Sequence, residues 1–240
     1  MADGRAFLLT GTDTGIGKTT VTCAVAAALS RRGIRVGVGK PAETGCEVDA
    51  NGALIPADAG RLRYFSGCRE PLDTICPIRC REPLAPAVAL RREARTIDAQ
   101  DLRATMLGIA ARHDVTLIEG AGGLLVPVIG SVTFAELARE WQLPVVVVVG
   151  NRLGAINHAQ LTVRYAEQAG LTIGGYVINT LGPDGDVAAQ TNVDCLRELL
   201  GAPIGVLPWL GPVACTPDDR TRLARVAEES LALARLIAPR

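Results

Sequence analysis

The chain has 240 residues, with 25 basic and 25 acidic side chains, 48% apolar residues and 3% aromatic residues. This length suits one compact domain, residues 1–240, and the apolar share excludes disorder as the main state. The balanced charge argues against a dedicated nucleic-acid-binding protein, which needs a basic face. Of the basic residues 23 are arginine and only two are lysine, Lys18 and Lys40, so the positions of these lysines require an explanation.

Six short apolar runs alternate with helical patterns along the chain. These runs are continuous rather than alternating, which is typical of parallel strands buried on both faces. They occupy residues 6–10, 36–40, 115–119, 145–150, 173–179 and 204–207. The alternation of strand and helix predicts an α/β fold: a doubly wound, mostly parallel sheet with helices on both faces.

Apolar residues at helical spacing predict the helices between these strands. The three clearest stripes are Val21, Val25, Ala28 and Leu29; Leu102, Met106 and Ile109; and Ile156, Ala159, Val163 and Ala166. A last helix begins with Thr216 as its N-cap and Pro217 in its first turn. Residues 41–97 carry little strand signal, and we expect a long excursion over the carboxyl edge of the sheet with a short helix near 58–65.

A glycine-rich loop, residues 11–19, follows the first predicted strand and leads into a helix. Such glycines let backbone N–H groups surround a polyphosphate, Lys18 would reach the β and γ phosphates, and Thr19 would ligate Mg²⁺. Five residues rather than four separate Gly11 from Gly17, so Thr12 takes the usual position of the first glycine. The order of strand, loop and helix predicts a phosphate-binding loop and a P-loop NTPase-like fold.

Charged residues end the next two strands. A lysine at the end of a buried strand, Lys40, is costly unless an anion meets it, although a solvated lysine at the sheet edge is the alternative. An ammonium is a compact point charge, which suits a tight phosphate or carboxylate pocket. Glu119 occupies the position of a Walker-B acid and could hold Mg²⁺ directly or through water, or simply cap the turn.

Polar residues also follow the later strands. Asn179 could pair with an adenine edge through its amide, or it could be a turn residue. His158 follows the fourth strand and is better explained as a helix-start or interface residue than as a catalytic base.

Together these residues resemble the dethiobiotin synthetase family, ATP-dependent enzymes of biotin synthesis. The resemblance covers most of the chain and rests on an ordered set of segments: 11–19, 40–41, 44–45, 119–123, 153–158, Asn179 and 208–210. It implies a homodimeric cyclo-ligase that uses ATP and Mg²⁺ to close the ureido ring of 7,8-diaminopelargonate with CO₂ or bicarbonate. The implied route passes through a carbamate and a carbamic–phosphoric anhydride and releases dethiobiotin, ADP and phosphate.

The resemblance also implies roles for single residues. Lys18 would stabilise the transferring phosphoryl group, Lys40 would bind the carbamate and its mixed anhydride, and Thr19, Asp58 and Glu119 would hold Mg²⁺. The remaining contacts to ATP would come from Gly15, Ile16, Gly17, Thr20, Gly120, Ala121, Gly122, Asn179, Thr180, Pro208, Trp209 and Leu210. Substrate contacts would come from Thr14 and Thr44, and from Leu153 and Asn157 of a partner subunit.

Two positions depart from the family pattern. The family has a histidine where this chain has Ala87, and no role is assigned to that position. The segment between Lys40 and Asp58 is one residue longer than in the family, which makes Asp58 the least direct of the three metal-binding predictions.

Other classes of protein share parts of this pattern. ParA- and MinD-like ATPases place a lysine in the loop where this chain has Asp13, and the chain lacks their basic amphipathic terminal helix. A cobyrinate-type amidotransferase would require a glutaminase domain for which the chain has no room. A nucleotide-binding scaffold without activity is the third alternative.

Compartment is predicted from what the sequence lacks. The first residues show no signal peptide, and the longest apolar run, 143–149, falls short of the roughly 20 residues that span a bilayer. We therefore expect a cytoplasmic protein without a membrane partner. The seven cysteines are scattered and are expected to be free thiols, with a zinc site at 46, 68, 76 and 80 as the alternative.

Overall fold

The computed structural model describes residues 5–237 of the chain. Its strands are β1 (Arg5–Gly11), β2 (Val36–Gly39), β3 (Ala42–Thr44), β4 (Glu47–Val48), β5 (Leu54–Ile55), β6 (Ile78–Cys80), β7 (Val115–Gly123), β8 (Pro127–Ile129), β9 (Val132–Thr133), β10 (Val145–Asn151), β11 (Ile173–Thr180) and β12 (Gly205–Leu207). Six of them form one parallel sheet in the order β12-β11-β10-β1-β7-β2. The predicted fold class is confirmed, and every predicted strand lies in this sheet.

Helices cover both faces of the sheet. They are α1 (Lys18–Arg31), α2 (Ala57–Ser66), α3 (Leu72–Ile75), α4 (Pro86–Arg92), α5 (Ala99–Arg112), α6 (Phe134–Glu140), α7 (Ala155–Gln168), α8 (Ala189–Leu200), α9 (Pro217–Ser230) and α10 (Ala234–Ile237). None of the helices within residues 5–237 is long and apolar enough to cross a membrane.

The core has two halves because strand side chains alternate between the faces of the sheet. Val146 and Val148 pack with α1, α2 and α9 on one face. Val145 and Val147 pack with α5, α6 and α7 on the other. Both faces are therefore buried, which explains why the valine run of β10 is continuous rather than alternating.

Helix α1 is present as predicted, but more of its surface is buried than the predicted stripe. The stripe at Val21, Val25 and Leu29 is buried, but so is the run from Cys23 to Ala28 in between. The reason is that α2 and α9 both pack against α1, so its outer side is covered as well as its sheet-facing side. The small side chains in this run let the neighbouring helices approach closely.

The segment 41–97, in which the sequence carries little strand signal, has only very short strands. It contains the parallel pair β3–β6 and the antiparallel pair β4–β5. Strands of two or three residues are too short to produce a periodic signal in the sequence. The short helix predicted near 58–65 is confirmed as α2.

Thr216 is confirmed as the N-cap of α9, where its side chain accepts a hydrogen bond from the Asp219 N–H at 3.2 Å. We expect Thr216→Ala to lower the free energy of unfolding by about 1 kcal/mol, because one N–H of the first turn loses its acceptor. Urea denaturation measures this change. Thr221→Ala in the same helix is the control, since Thr221 only donates back to the Pro217 carbonyl. Equal losses in both variants would contradict the capping role.

All seven cysteines are free thiols, and five of them are buried. Burial raises the pKa of the Cys23 and Cys76 thiols, and it raises the pKa of Cys80 to about 11. Since the thiolate is the reactive form, we expect a thiol reagent to label exposed Cys215 first and half-buried Cys195 second. Counting labelled thiols in the folded and the urea-unfolded protein tests this. Rapid labelling of Cys76 in the folded protein would contradict it.

Candidate active site

A cavity of about 390 Å³ opens at the carboxyl end of the central strands. This is the edge at which open parallel sheets bind ligands. Its lining residues come from the glycine-rich loop, the segment after β2, the start of α2 and the end of β7: Thr14, Gly15, Gly17, Lys18, Thr19, Lys40, Glu43, Thr44, Asp58, Ala121 and Gly122. The structure thus brings together ten of the predicted site residues, and adds Glu43.

Backbone geometry shapes the glycine-rich loop. Gly15 and Gly17 have φ values of 68° and 81°, in the left-handed region that favours glycine. Gly17 is also the N-cap of α1, and a Cβ atom there would lie 2.3 Å from Nδ2 of Asn179. The α1 N-terminus has no side-chain cap, and its first residues Gly17, Lys18 and Thr19 line the cavity, as at an anion-binding helix end.

Lys18 lies in the first turn of α1 and is only 8% exposed. Its Nζ donates to the backbone carbonyl of Asp13 at 3.2 Å. Burial lowers the pKa of Lys18, and the charge of Lys40 lowers it further. The Lys18 ammonium is thus desolvated and faces a cavity in which a phosphate could pair with it.

Lys40 follows β2 directly and is 3% exposed, which excludes the solvated alternative. Its Nζ donates to Oε1 of Glu119 at 2.7 Å, to Oδ2 of Asp58 at 3.1 Å and to the Gly120 carbonyl at 3.4 Å. Burial by itself lowers the pKa of Lys40, but the charges of Glu119 and Asp58 outweigh burial and raise it. Lys40 is therefore a charged ammonium held by two carboxylates.

Glu119 is fully buried and gathers the polar groups of the site around it. Its Oε1 accepts from Thr19 at 2.8 Å and from Lys40, and its Oε2 accepts from Thr22 at 2.7 Å. It was predicted to end its strand, but β7 continues to Gly123. The strand extends because Gly123 pairs with Gly11 after an irregularity in the β1–β7 register.

The oxygen donors at this site fit a magnesium ion. Thr19, Asp58 and Glu119 offer a hydroxyl and two carboxylates, and oxygen ligands are those that Mg²⁺ prefers. Within the described ranges no three His, Cys, Asp or Glu side chains form a metal-binding group. That is compatible with Mg²⁺, which usually binds one or two carboxylates and completes its shell with water and substrate phosphates.

The residues predicted to receive adenine do not line this cavity. The amide of Asn179 donates from Nδ2 to the Ile16 carbonyl at 2.9 Å, so it holds the glycine-rich loop in place. Thr180 ends β11, and residues 208–210 follow β12, where Trp209 is exposed and Leu210 is buried. Leu153, just before α7, and Asn157, in its first turn, lie on the outer surface, where Leu153 is 80% exposed.

Three contacts of the site were not predicted. The Arg152 guanidinium pairs with the Asp13 carboxylate at 2.6 Å, Thr22 donates to Glu119, and Glu43 caps a helix. Thr22 carries a weak signal, since it lies one helical turn after Lys18. The other two contacts join segments distant in sequence. Ala87 is buried in the first turn of α4 and brings no polar atom to the site.

A parallel sheet with a glycine-rich loop before a helix, a lysine in that loop and an acid on the neighbouring strand defines a P-loop nucleotide-binding protein. Residues 5–215 match the family model described as an AAA domain. The chain is 42% identical over 211 residues to the ATP-dependent dethiobiotin synthetase BioD of Anaeromyxobacter sp. (strain K), covering 88% of this chain and 92% of that protein. It is 38% identical to dethiobiotin synthetase BioD 1 of Salmonella typhi, covering 86% and 90%. The chain belongs to the ATP-dependent dethiobiotin synthetase family.

Comparison with solved structures agrees on the fold. A ParA family ATPase from Chlorobium tepidum TLS superposes with a TM-score of 0.53 at 17% identity, covering 98% of this chain and 97% of that one. At this identity the likeness concerns the P-loop NTPase-like fold alone. The ParA-like alternative therefore gains no functional support, whereas the sequence relatives point to a ligase of biotin biosynthesis.

Proposed function

We propose that the protein is an ATP-dependent dethiobiotin synthetase that closes the ureido ring of 7,8-diaminopelargonate with CO₂ or bicarbonate. The observation that carries this proposal is the position of the two lysines in a single cavity. Lys18 and Lys40 are both buried, and both line one cavity with Asp58 beside them. A reaction between a carbamate and a triphosphate brings two anions together, and two fixed ammonium groups lower the cost of that approach.

The proposed reaction needs no nucleophilic side chain. One substrate amine adds to CO₂ and gives a carbamate. A carbamate oxygen attacks the γ phosphorus, the bond to the bridging oxygen breaks, and ADP leaves. The second amine then attacks the carbamoyl carbon, and phosphate leaves as the five-membered ring closes. Most of the acceleration comes from positioning and electrostatic stabilisation.

The proposed assignments follow the two lysines. Lys18 pairs with the transferring phosphoryl group, and Lys40 with the carbamate and the mixed anhydride. Thr14 and Thr44 face the same cavity and would hold the amines and the carbamate. The phosphates would lie against the loop and the end of β7, at Gly15, Ile16, Gly17, Thr19, Thr20, Gly120, Ala121 and Gly122. Adenine would be received at Asn179, Thr180, Pro208, Trp209 and Leu210.

Thr19, Asp58 and Glu119 are the residues that would hold Mg²⁺. When bound, the ion would neutralise charge on the β and γ phosphates. Thr19 and Glu119 are already joined by a hydrogen bond of 2.8 Å, so these two donors need little movement to share a ligand.

We also propose that the chain forms a single domain and that two copies assemble as a homodimer in the cytoplasm. Leu153 just before α7, and Leu161 and Tyr165 within it, are exposed large hydrophobic side chains. Asn157, Leu161 and Tyr165 follow at intervals of four and share one helix face. A second copy covering this face would bury the apolar side chains and bring Leu153 and Asn157 to the substrate tail in the partner's cavity.

The test is ATP turnover with and without the diamine and bicarbonate. We expect ADP release to require both, with one dethiobiotin formed per ADP. Turnover that ignores the diamine would contradict the synthetase and favour a simple ATPase.

A further inference from the structure

Helix α2 begins without a local cap. Its N-cap residue is Pro56, which has no side-chain acceptor for the first-turn N–H groups. Uncapped N–H groups of a helix end require another acceptor when they are buried. The groups concerned belong to Asp58 and Ala59, and Ala59 is fully buried.

Glu43, in strand β3, supplies the missing cap. Its Oε1 accepts from the Asp58 N–H at 2.8 Å, and its Oε2 accepts from the Ala59 N–H at 3.0 Å. The side chain belongs to β3 and is only 7% exposed. The positive end of the helix dipole also stabilises a carboxylate at this place. Glu43 therefore joins the start of α2 to the strand that follows Lys40.

Of the two residues whose N–H groups Glu43 caps, Asp58 is the one whose side chain contacts Lys40. Asp58 Oδ2 lies 3.1 Å from Lys40 Nζ, and the Asp58 backbone N–H is held by Glu43 at the same time. The position of the Asp58 carboxylate therefore depends on the backbone that Glu43 fixes.

We propose that Glu43 is a positioning residue that sets the Asp58 carboxylate for metal binding at the active site. The inference rests on the proposed function, in which Asp58 holds Mg²⁺. In this role Glu43 acts through the backbone N–H groups of Asp58 and Ala59. No signal in the sequence marks it, because the acceptor lies 15 residues from the N–H that it caps.

Binding of ADP measured by calorimetry, with Mg²⁺ and with a chelator in its place, tests this role. The quantity compared is the Kd measured with chelator divided by the Kd measured with Mg²⁺. This ratio reports how much the metal strengthens binding. We expect Glu43→Ala to lower the ratio about tenfold, as loss of a group that orients a metal ligand commonly does. Glu43→Gln, which keeps one acceptor oxygen, should lower it less. The Kd measured with chelator should stay unchanged in both variants.

Two controls separate the outcomes. Asp98→Ala removes a carboxylate cap from α5, where Asp98 accepts from the Gln100 N–H at 2.7 Å outside the cavity, and it should lower Tm without changing the ratio. Asp58→Asn should lower the ratio at least as much as Glu43→Ala. A Glu43→Ala protein that loses Tm but keeps the wild-type ratio overturns the proposal. An unchanged ratio in Asp58→Asn also overturns it, while diamine-dependent turnover of the wild type would still support the synthetase.

Discussion

Lys40→Arg is expected to reduce diamine-dependent turnover about 100- to 1,000-fold, the usual cost of removing one group that stabilises developing charge. Lys40 Nζ is enclosed by Glu119, Asp58 and the Gly120 carbonyl, all within 3.4 Å. A planar guanidinium is wider than an ammonium and cannot occupy this point-charge position without displacing a carboxylate. Phosphate release measured at saturating diamine reports the loss.

Nucleotide binding in the absence of Mg²⁺ should largely survive in the same variant, because the phosphates are assigned to Lys18 and the glycine-rich loop. Calorimetric titration with ADP measures it. Arg35→Lys is the matched control, since it exchanges the same residue types at an exposed pair with Asp114. Normal turnover in Lys40→Arg would contradict the role given to Lys40.

Glu119→Gln is expected to have the largest effect on stability, about 3–5 kcal/mol, as when one partner of a buried ion pair is removed. The exchange keeps the side-chain shape but removes the charge that faces Lys40 at 2.7 Å. Asp58 remains as a partner, but its side chain is 40% exposed and cannot replace a fully buried carboxylate. The variant should also need more Mg²⁺ for turnover, since a carboxylate that we propose holds the ion is lost.

Chemical denaturation and a magnesium titration measure the two effects separately. Asp114→Asn provides a matched acid-to-amide exchange at the exposed pair with Arg35, where a far smaller change is expected. A Glu119→Gln protein as stable as the wild type would show that the buried pair does not hold the site together.

The sheet could be predicted from the sequence because its strands are buried on both faces. A run such as 145–150 has no polar alternation, and short turns separate it from helical patterns. The packing of one helix against others could not be predicted in the same way. Helix α1 is enclosed by α2 and α9, which its own sequence does not reveal. The paired strands β3 and β6 are three residues long and stabilised by neighbours rather than by a pattern.

Some residues of the site could likewise be predicted from the sequence, and others could not. Residues in one contiguous motif, such as Lys18 and Thr19, could be predicted because the chemistry of phosphate binding fixes their spacing. The rarity of lysine also identified Lys40. Glu43 and Arg152 could not be predicted, since each acts on a partner that folding alone brings near, 139 residues away in the case of Arg152 and Asp13.

The synthetase mechanism is tested most directly by following oxygen from ¹⁸O-labelled bicarbonate during a single turnover, under conditions that limit exchange with water. If a carbamate oxygen attacks the γ phosphorus, that oxygen leaves with phosphate when the ring closes. We predict one labelled oxygen in each phosphate and the other in the ureido carbonyl of the product. Phosphate whose added oxygen comes only from water would contradict the account.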